Sequence, residues 1–338
     1  MQSMPFDPEI DRKHARLAQG VRQTLLADTR RINIVGASGW IGRTTAALLY
    51  EALGAEAFSR RVACFGSRAG VLDLDEGLSI PQRPLAEIAE QEQSPTLLFN
   101  LAFLTMDKIA GMAAAEYVRA NQALSETIIS ALEPIGVDRL FVASSGAAAF
   151  ADDAQAASDL RLYGGLKRDD ESAFASWALA APEARRTVIA RIYSVSGPWI
   201  NKHEVYALAN FILDSLDGRP VEVRAPMRVW RSYVAVREVV SLVLAALLAN
   251  DAEPVTRFDT GGEPLELGDV GAKVVEVIGG EVRRAPITGP TDNRYVGDDA
   301  SYARLLGRYG ISHLPLVDQI AETAAYLARQ NAVERVAT

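Results

Sequence analysis

The sequence is poor in the residues that disulfide and metal chemistry require. Its 338 residues include one cysteine, Cys64, and three histidines. A single cysteine excludes an intramolecular disulfide and a cysteine-rich metal site, and no metal is expected. Cys64 stands in RVACFGSR, which predicts a strand with this thiol as a small buried side chain. This cysteine usage fits a reducing cytoplasm.

Further absences concern partners and location. No run of apolar residues reaches the length of about 18 that a membrane-spanning helix needs. The net charge is −8, and no basic stretch is long enough to follow a phosphate backbone, so nucleic acid is not an expected partner. The first 17 residues contain early acids and no apolar core, which argues against a signal peptide. We therefore expect a cytoplasmic protein.

What the sequence does contain is a regular alternation of β-rich and helical patterns. The predicted strands are RINIVGA, RVACFGS, PTLLFNLAF, DRLFVASS and TVIARIYSV. Helical patterns separate them, among them TTAALLYEALG, which ends in Gly54, the segment 113–132, and a helix from about Tyr163 to Ala180. This alternation predicts right-handed βαβ crossovers and an α/β, doubly wound parallel sheet covered on both faces.

The first predicted strand runs directly into GASGWIG, and a helix follows. Glycines at this position let the backbone turn tightly and approach a pyrophosphate, whose charge then lies at the helix N-terminus. A plain turn can also be rich in glycine, but the position in the first βα unit favours a dinucleotide loop. The residues predicted to bind the cofactor here are Gly36, Ser38, Gly39, Trp40, Ile41 and Gly42.

The spacing GxxGxxG differs from the GxGxxG of ordinary dinucleotide dehydrogenases. Further motifs follow in order: NLAF (100–103), Asn121, SSG (144–146), YGGLK (163–167), RIYSVSGP (191–198), RSYVAVREVV (231–240) and GDDASYARLLG (297–307). By this ordered set the sequence resembles the extended branch of the short-chain dehydrogenase/reductase superfamily, the NAD-dependent epimerase/dehydratase family. The resemblance covers about residues 31–330, and it implies a Rossmann domain with a smaller, interleaved C-terminal substrate lobe.

We place the domain boundaries where the alternation of predicted strands and helices begins and where it becomes less regular. Residues 1–30 are predicted to form a helical extension, because an apolar stripe through Val21 and Leu25 runs along residues 7–30. After Pro198 the alternation loosens. We assign residues 31–195 with about 229–262 to the Rossmann domain, and residues 196–228 with 263–338 to the substrate-binding lobe. The elements predicted after Pro198 are helices 203–217, 267–278 and 315–329 and strands 221–224 and 256–260, and they form a smaller lobe interleaved with the last part of the sheet.

The end of the second strand bears on the choice of nicotinamide cofactor. An NAD site usually has Asp or Glu there, to accept hydrogen bonds from the adenosine ribose. This chain has Ser67 and Arg68 after Gly66. A guanidinium can pair with a 2′-phosphate, which a carboxylate would repel, so NADP(H) is favoured over NAD(H). Arg43 is a weaker candidate for the same contact. The resemblance adds Leu101, Ala102, Phe103, Asn121 and Pro198 to the cofactor-binding set.

Tyr163 and Lys167 are four residues apart and therefore share one face of the predicted helix. Alone, such a pair is most simply a surface feature. The resemblance assigns Tyr163 as the catalytic acid/base and Lys167 as the cation that favours its phenolate form and holds the nicotinamide ribose. The resemblance also implies a third catalytic residue with a side-chain hydroxyl. When the motif is aligned on Phe150, which stands in place of the usual tyrosine, that position is occupied by Gly146, which has no hydroxyl. We therefore assign that role to Ser145 and a structural role to Ser144.

The resemblance also implies a nucleotide-sugar substrate and the residues that contact it. Arg231 matches a diphosphate-binding arginine, Ser194 takes a position near the sugar, and Asn210 and Arg294 are further candidates from their positions. Gly146 and Ala147 supply no acid, which argues against a sugar 4,6-dehydratase. A homodimer through the helices 112–132 and 163–180 is expected by the same resemblance.

The leading prediction is an NADP(H)-dependent oxidoreductase that reduces a keto group of a nucleotide-activated (deoxy) sugar. An NAD-dependent nucleotide-sugar 4-epimerase is the first alternative, because it would use the same residues while retaining its cofactor. A reductase of a non-sugar carbonyl is a second alternative. A non-catalytic protein that senses dinucleotides is a third, favoured slightly by Gly146 and Phe150 and opposed by the intact YGGLK motif.

Overall fold

A computed structural model describes residues 16–74, 77–250 and 253–337. Residues 7–15 of the predicted N-terminal helix lie outside this part of the chain. Its remainder contains helix α1, Gln19–Ala27, in which Val21 and Leu25 of the predicted stripe are buried. Among the described residues, no helix is both long and apolar enough to cross a bilayer.

The strands and helices largely follow the predicted alternation. The strands are β1 Arg31–Val35, β2 Val62–Gly66, β3 Gly70–Leu74, β4 Leu78–Pro84, β5 Thr96–Asn100, β6 Val137–Ser145, β7 Arg186–Ile192, β8 Ser194–Ser196, β9 Val221–Val223, β10 Val229–Arg231, β11 Tyr233–Ala235, β12 Val255–Asp259, β13 Leu265–Glu266, β14 Val282–Arg284 and β15 Asn293–Tyr295. The helices after α1 are α2 Trp40–Arg61, α3 Ala114–Leu132, α4 Ser158–Leu179, α5 Ala207–Leu216, α6 Val236–Leu248, α7 Leu267–Ile278, α8 Asp299–Arg308 and α9 Leu316–Ala337.

Eight strands form one sheet in the order β12-β7-β6-β5-β1-β2-β4-β3. Neighbouring strands are parallel except at the β3–β4 edge, where they are antiparallel. The strands β2 to β4 lie on one side of β1, and the later strands, from β5 onward, lie on its other side. The strand order therefore reverses between β1 and β5. The predicted doubly wound parallel sheet is therefore confirmed. In such sheets ligands bind beyond the carboxyl ends of the strands, at this reversal.

The chain divides into two compact units. One contains residues 17–192 and 240–259, and the other contains residues 193–239 and the chain from 260 onward. The first unit holds the eight-stranded sheet. Its core joins β-strand and helix side chains, including Phe65, Leu98, Ile128 and Phe174, which are almost entirely buried. The second unit holds three small sheets, β13-β10-β15, β11-β8 and β14-β9, and the mutually packed helices α5, α7 and α9.

Some details differ from the sequence-based predictions. Gly54 leaves helical geometry with φ of +76°, as its predicted role as a helix end requires, but a second helical stretch follows it as far as Arg61. The β3–β4 hairpin was not predicted, because Pro81 and Pro84 weaken the strand signal of that segment. The predicted helix at 203–217 is the shorter α5, preceded by a 3₁₀ turn. The C-terminal helix predicted at 315–329 continues to Ala337.

Candidate active site

The glycine loop lies between β1 and α2, and its geometry excludes side chains at two of its three glycines. Gly36 has φ of +87°, and a Cβ there would lie 2.8 Å from the backbone nitrogen of Ala102. A Cβ on Gly42 would lie 2.4 Å from the carbonyl oxygen of Gly36. Such contacts require backbone displacement, so both positions need glycine. The loop is thus held close to the segment that follows β5.

The first turn of α2 offers its amide groups at the end of this loop. Gly39 is the N-cap residue, and no side chain caps the helix. An uncapped helix N-terminus with backbone N–H groups directed outward favours a bound anion such as a pyrophosphate. Ser38 is exposed and Ile41 is half-buried, whereas the Trp40 side chain is buried with 6% exposure. The Trp40 indole therefore packs into the core, and only its backbone belongs to the loop surface.

The segment 101–104 follows β5 and is fixed by two buried side chains of α3. Asn121, which is 1% exposed, accepts a hydrogen bond from the backbone N–H of Leu104 at 2.8 Å and donates one to the carbonyl of Tyr117 at 3.2 Å. The Tyr117 hydroxyl donates to the carbonyl of Leu104 at 2.5 Å. Asn121 therefore positions the loop that carries Leu101, Ala102 and Phe103. Tyr117 was not predicted, although its spacing of four from Asn121 on one helix was a usable signal.

The end of β2 presents no carboxylate at positions 66–68. Ser67 and Arg68 are exposed, and the backbone beneath them is held by the Gln82 amide, which donates to the carbonyl of Arg68 at 3.0 Å. A Cβ on Gly66 would lie 2.4 Å from the Gln82 side chain. Arg43 donates to the carbonyls of Ser38 and Asp73, at 3.3 and 2.8 Å. Because these hydrogen bonds engage the Arg43 guanidinium, Arg68 is the better candidate for a contact with the cofactor.

Helix α4 brings Tyr163, Lys167 and Phe103 together. The Lys167 side chain is buried, and its Nζ donates to the carbonyl of Ala143 at 2.8 Å and lies 3.8 Å from the centre of the Phe103 ring. The rings of Phe103 and Tyr163 meet edge to face, with centroids 5.6 Å apart. Burial lowers the pKa of Lys167 to about 8, although the carboxylates of Asp170 and Glu171 offset part of that effect.

The glycine after Tyr163 lets α4 approach the turn that follows β6. A Cβ on Gly164 would lie 2.1 Å from the carbonyl oxygen of Ala147, whereas a Cβ on Gly165 would meet open space. Ser145 ends β6, and its Oγ accepts a hydrogen bond from the backbone N–H of Ala147 at 3.2 Å. The contact at Gly164 therefore sets the separation between the helix that carries Tyr163 and the turn that Ser145 begins.

Behind this turn, Ser144 takes part in a buried charged network. Its hydroxyl donates to the Glu171 carboxylate, which also accepts two hydrogen bonds from Arg191, each 2.8 Å long. Burial raises the pKa of Glu171, but the hydrogen bonds of Arg191 and Ser144 and the Arg191 charge outweigh it, so the net shift is downward. Asp170 accepts a hydrogen bond from Ser125 at 2.6 Å, and burial raises its pKa. The geometry of Ser144 fits the structural role predicted for it.

The predicted substrate residues, together with Pro198, belong to the other compact unit. Arg231 is paired in register with Tyr295, and its guanidinium donates to the Asn293 side chain at 2.9 Å. Arg294 is paired with Trp230, and its guanidinium lies 5.6 Å from the indole ring. Because successive residues of a strand point to opposite faces, Arg231 and Arg294 leave this sheet on opposite sides. The structure therefore does not place these two arginines on one surface.

The remaining residues of that set lie on separate elements. Ser194 begins β8 and is paired with Tyr233 of β11. Asn210 lies on α5 and is half-buried. Pro198 lies between Gly197, which has φ of +128°, and Trp199, a non-glycine residue with φ of +62°. The backbone around Pro198 is therefore in an uncommon conformation.

Comparison with known proteins identifies the family. The sequence model of the NAD dependent epimerase/dehydratase family matches residues 32–261, about two thirds of the chain. The chain therefore belongs to this family, as its ordered motifs predicted. A search of curated proteins found no match.

Solved structures share the fold at low sequence identity. MoeE5, solved in complex with UDP-glucose and NAD, superposes with a TM-score of 0.66 at 20% identity, covering 89% of this chain and 99% of that one. The epimerase Mth375 from Methanothermobacter thermautotrophicus gives 0.68 at 14% identity, covering 94% and 98%. A UDP-glucose 4-epimerase from Thermotoga maritima, solved with UDP-glucose, gives 0.66 at 17% identity, covering 89% and 99%. At these identities the likeness establishes the fold.

Proposed function

We propose that this chain is an NADP(H)-dependent oxidoreductase that reduces a keto group of a nucleotide-activated (deoxy) sugar. The observation that carries the proposal is the cluster of Tyr163, Lys167 and Phe103 in the same compact unit as the glycine loop. Burying an ammonium group costs free energy, and this one lies one helical turn from Tyr163 on the same helix face. The buried lysine therefore argues for chemistry and against a protein that only senses dinucleotides.

The glycine loop fits a dinucleotide, because Gly36 and Gly42 permit a tight turn in which Cβ atoms would collide with backbone, and because the first turn of α2 has no capping side chain. We assign the pyrophosphate to this loop and the adenosine ribose to Ser67 and Arg68. A bound nicotinamide supplies a hydride donor or acceptor. NADP(H) is preferred because positions 66–68 offer an exposed guanidinium and no carboxylate.

The acid–base part of the reaction is assigned to residues of α4 and β6. Tyr163 gives its hydroxyl proton to the carbonyl oxygen of the substrate, and Lys167 stabilises the phenolate that remains. The Ser145 hydroxyl donates a hydrogen bond to the same substrate oxygen. Asn121 acts indirectly, because it fixes the loop that carries Phe103. In the other unit, Arg231 is the proposed partner of the substrate diphosphate, with Ser194 and Asn210 as secondary contacts. Arg294, predicted as a further contact, leaves the sheet on the side opposite to Arg231 and is not assigned to the same substrate.

A nucleotide-sugar 4-epimerase with tightly held NAD is the second candidate. The fold similarity to MoeE5 with bound NAD and to UDP-glucose 4-epimerases supports it. An epimerase oxidises and reduces the same carbon, so it needs no net supply of reducing equivalents. The two candidates therefore differ in whether the cofactor is consumed.

The deciding experiment begins with denaturation of freshly purified protein and identification of the released nucleotides by mass spectrometry. Stoichiometric NAD would support the epimerase and overturn the role assigned to Arg68. NADP(H), or protein that takes up NADPH in preference to NADH, would support the reductase. An Arg68→Asp variant should then reverse the preference, and nucleotide-linked keto sugars would be assayed with the preferred cofactor.

A further inference from the structure

A cleft of about 270 Å³ lies in the unit that contains residues 17–192 and 240–259. Three of its lining side chains are arginines, Arg30, Arg139 and Arg186, and a single lining residue, Asp28, is acidic. Asn250 adds a neutral polar side chain. Because the whole chain has a net charge of −8, three converging guanidinium groups are an unusual local concentration of positive charge.

The cleft is distinct from the candidate active site. Arg30 immediately precedes β1, Arg139 is the third residue of β6, and Arg186 is the first residue of β7. These positions are at the amino ends of parallel strands, whereas Ser145 is at the carboxyl end of β6. Ser145 is six positions after Arg139, and at about 3.3 Å per position this places them about 20 Å apart along the strand.

The nearby carboxylates do not neutralise the arginines fully. Asp138 accepts hydrogen bonds from Arg30 and Arg139, and Asp28 is shared between Arg30 and Arg61. The Arg186 guanidinium donates to the carbonyls of Pro182 and Arg185, at 2.6 and 2.9 Å, and forms no ion pair with a described carboxylate.

Arg139 is the arginine most affected by the others. Burial lowers its pKa, and the charges of Arg30 and Arg186 lower it further, although Asp138 offsets part of the effect. Its Nε is buried and has no hydrogen-bond acceptor among the described residues. Arg139 is therefore close enough to Arg30 and Arg186 for both charges to act on it, and an anion in the cleft would offset their repulsion.

We propose that this cleft binds a small anion through a phosphate group. Guanidinium groups match phosphate oxygens in pairs, and several of them converging on one cleft is the arrangement that phosphate recognition uses. Both inorganic phosphate and the phosphate group of a small metabolite have this chemistry. The distance from Ser145 means that the ligand would act as an effector or stabiliser, and the proposal does not depend on the function proposed above.

The test is a titration of the full-length protein with inorganic phosphate at constant ionic strength, read by thermal unfolding and by equilibrium dialysis. We expect a saturable rise in Tm for the native protein. Arg186→Gln should weaken binding by about tenfold or more, because it removes a charged contact. Arg60→Gln is the matched control, since Arg60 is an exposed arginine of the same unit, paired with Glu56 on helix α2.

A second variant, Asn250→Asp, places a negative charge at the cleft without removing an arginine, and it should also weaken phosphate binding. Equal phosphate binding by Arg186→Gln, Asn250→Asp and Arg60→Gln would overturn the proposal, as would the absence of a saturable response in the native protein. A parallel titration with glycerol phosphate distinguishes the ligand sources. Tighter binding of the ester, lost in the same two variants, would identify a phosphorylated metabolite, and tighter binding of phosphate would identify the free ion.

Discussion

The Nζ atom of Lys167 donates a hydrogen bond to the carbonyl oxygen of Ala143 at 2.8 Å. This bond joins α4 to the carboxyl-terminal part of β6, two residues before Ser145. The hydrogen bond from Ser144 to Glu171 joins the same two elements, and Gly164 closely approaches Ala147 in the turn that follows β6. Three separate contacts therefore fix the register between the helix that carries Tyr163 and the strand that carries Ser145.

Replacing Tyr163 by Phe should remove turnover while leaving cofactor binding nearly unchanged. The substitution deletes the hydroxyl that gives up the proton and keeps the ring that packs on Phe103. Loss of a general acid typically lowers the rate by a factor of about 10²–10⁴. Steady-state kinetics would measure the loss, with NADPH titration followed by fluorescence as the control. Activity equal to that of the native protein would contradict the assigned mechanism.

The adjacent glycines of YGGLK should respond oppositely to alanine. Gly164→Ala would place a Cβ 2.1 Å from the carbonyl oxygen of Ala147, so α4 or the turn must move. We expect a loss of stability of about 1–3 kcal/mol or more, as for other overpacked sites. Gly165→Ala has open space and should gain up to about 1 kcal/mol from helix propensity.

Chemical denaturation of both glycine variants measures this difference directly. If Gly164→Ala were as stable as Gly165→Ala, the close contact between α4 and the turn that contains Ala147 would be contradicted. Because the two positions are adjacent on one helix, effects on helix propensity cancel in the comparison. The remaining difference then reports the contact with Ala147.

The lowered pKa of Lys167 predicts a pH dependence with a definite sign. Its folded-state pKa is about 8, whereas an unfolded lysine titrates near about 10.4. Between these values the unfolded chain binds more protons than the native chain, so the contribution of Lys167 makes native stability rise with pH. Over the same range the native protein loses the cation that supports Tyr163, so activity should fall as pH rises through about 8.

The Lys167→Met variant tests the lowered pKa of Lys167 through the stability of the protein, so the test does not require an active enzyme. The contribution of Lys167 should be absent from its denaturation curves, so the stability of the native protein should rise relative to that of Lys167→Met between about pH 8 and 10.4. Arg60→Gln, at an exposed cation of the same unit, should keep the native profile. Identical profiles for Lys167→Met and the native protein would show that Lys167 does not titrate in this range.

Replacing Glu171 by Gln should strongly destabilise the first unit. The variant leaves the half-buried Arg191 without its carboxylate and disturbs the hydrogen bond of Ser144. Breaking a buried ion pair costs about 3–5 kcal/mol, and partial exposure of Arg191 places this case toward the lower end. Glu133→Gln, which removes an exposed partner of Arg185, is the matched control and should cost less than about 1 kcal/mol.

The lowered pKa of Glu171 also predicts how acid changes the stability of the native protein. Because the folded-state pKa of Glu171 is below its ordinary value, its contribution to stability is present above the unfolded pKa and is lost as pH falls through the folded one. The native protein should therefore lose more stability on acidification below about pH 4.3 than Glu171→Gln does. Parallel acid titrations of the two proteins would reveal no difference if Glu171 were not held ionised by Arg191.

Part of the candidate site could be predicted because it depends on short-range patterns. The glycine spacing at 36, 39 and 42 follows from the turn itself, and the pairing of Tyr163 with Lys167 follows from the helical repeat. The cap of helix α8 is local in the same way, because the carboxylate of its N-cap residue Asp298 accepts a hydrogen bond from the N–H of Ser301 at 3.0 Å. The positioning role of Asn121 needed the loop after β5 to lie against α3, which no local pattern reveals.

The sequence by itself determined the alternation of the main parallel strands with helices, the parallel sheet and the family, because hydrophobic periodicity and motif spacing are properties of neighbouring residues. Only the tertiary structure decided that Gly164 contacts Ala147, that Ser144 shares Glu171 with Arg191, and that Arg231 and Arg294 face opposite sides of a sheet. It also brought Arg30, Arg139 and Arg186 into one cleft. Each of these depends on the register between elements that are distant in the chain, and that register is set by packing of the whole core.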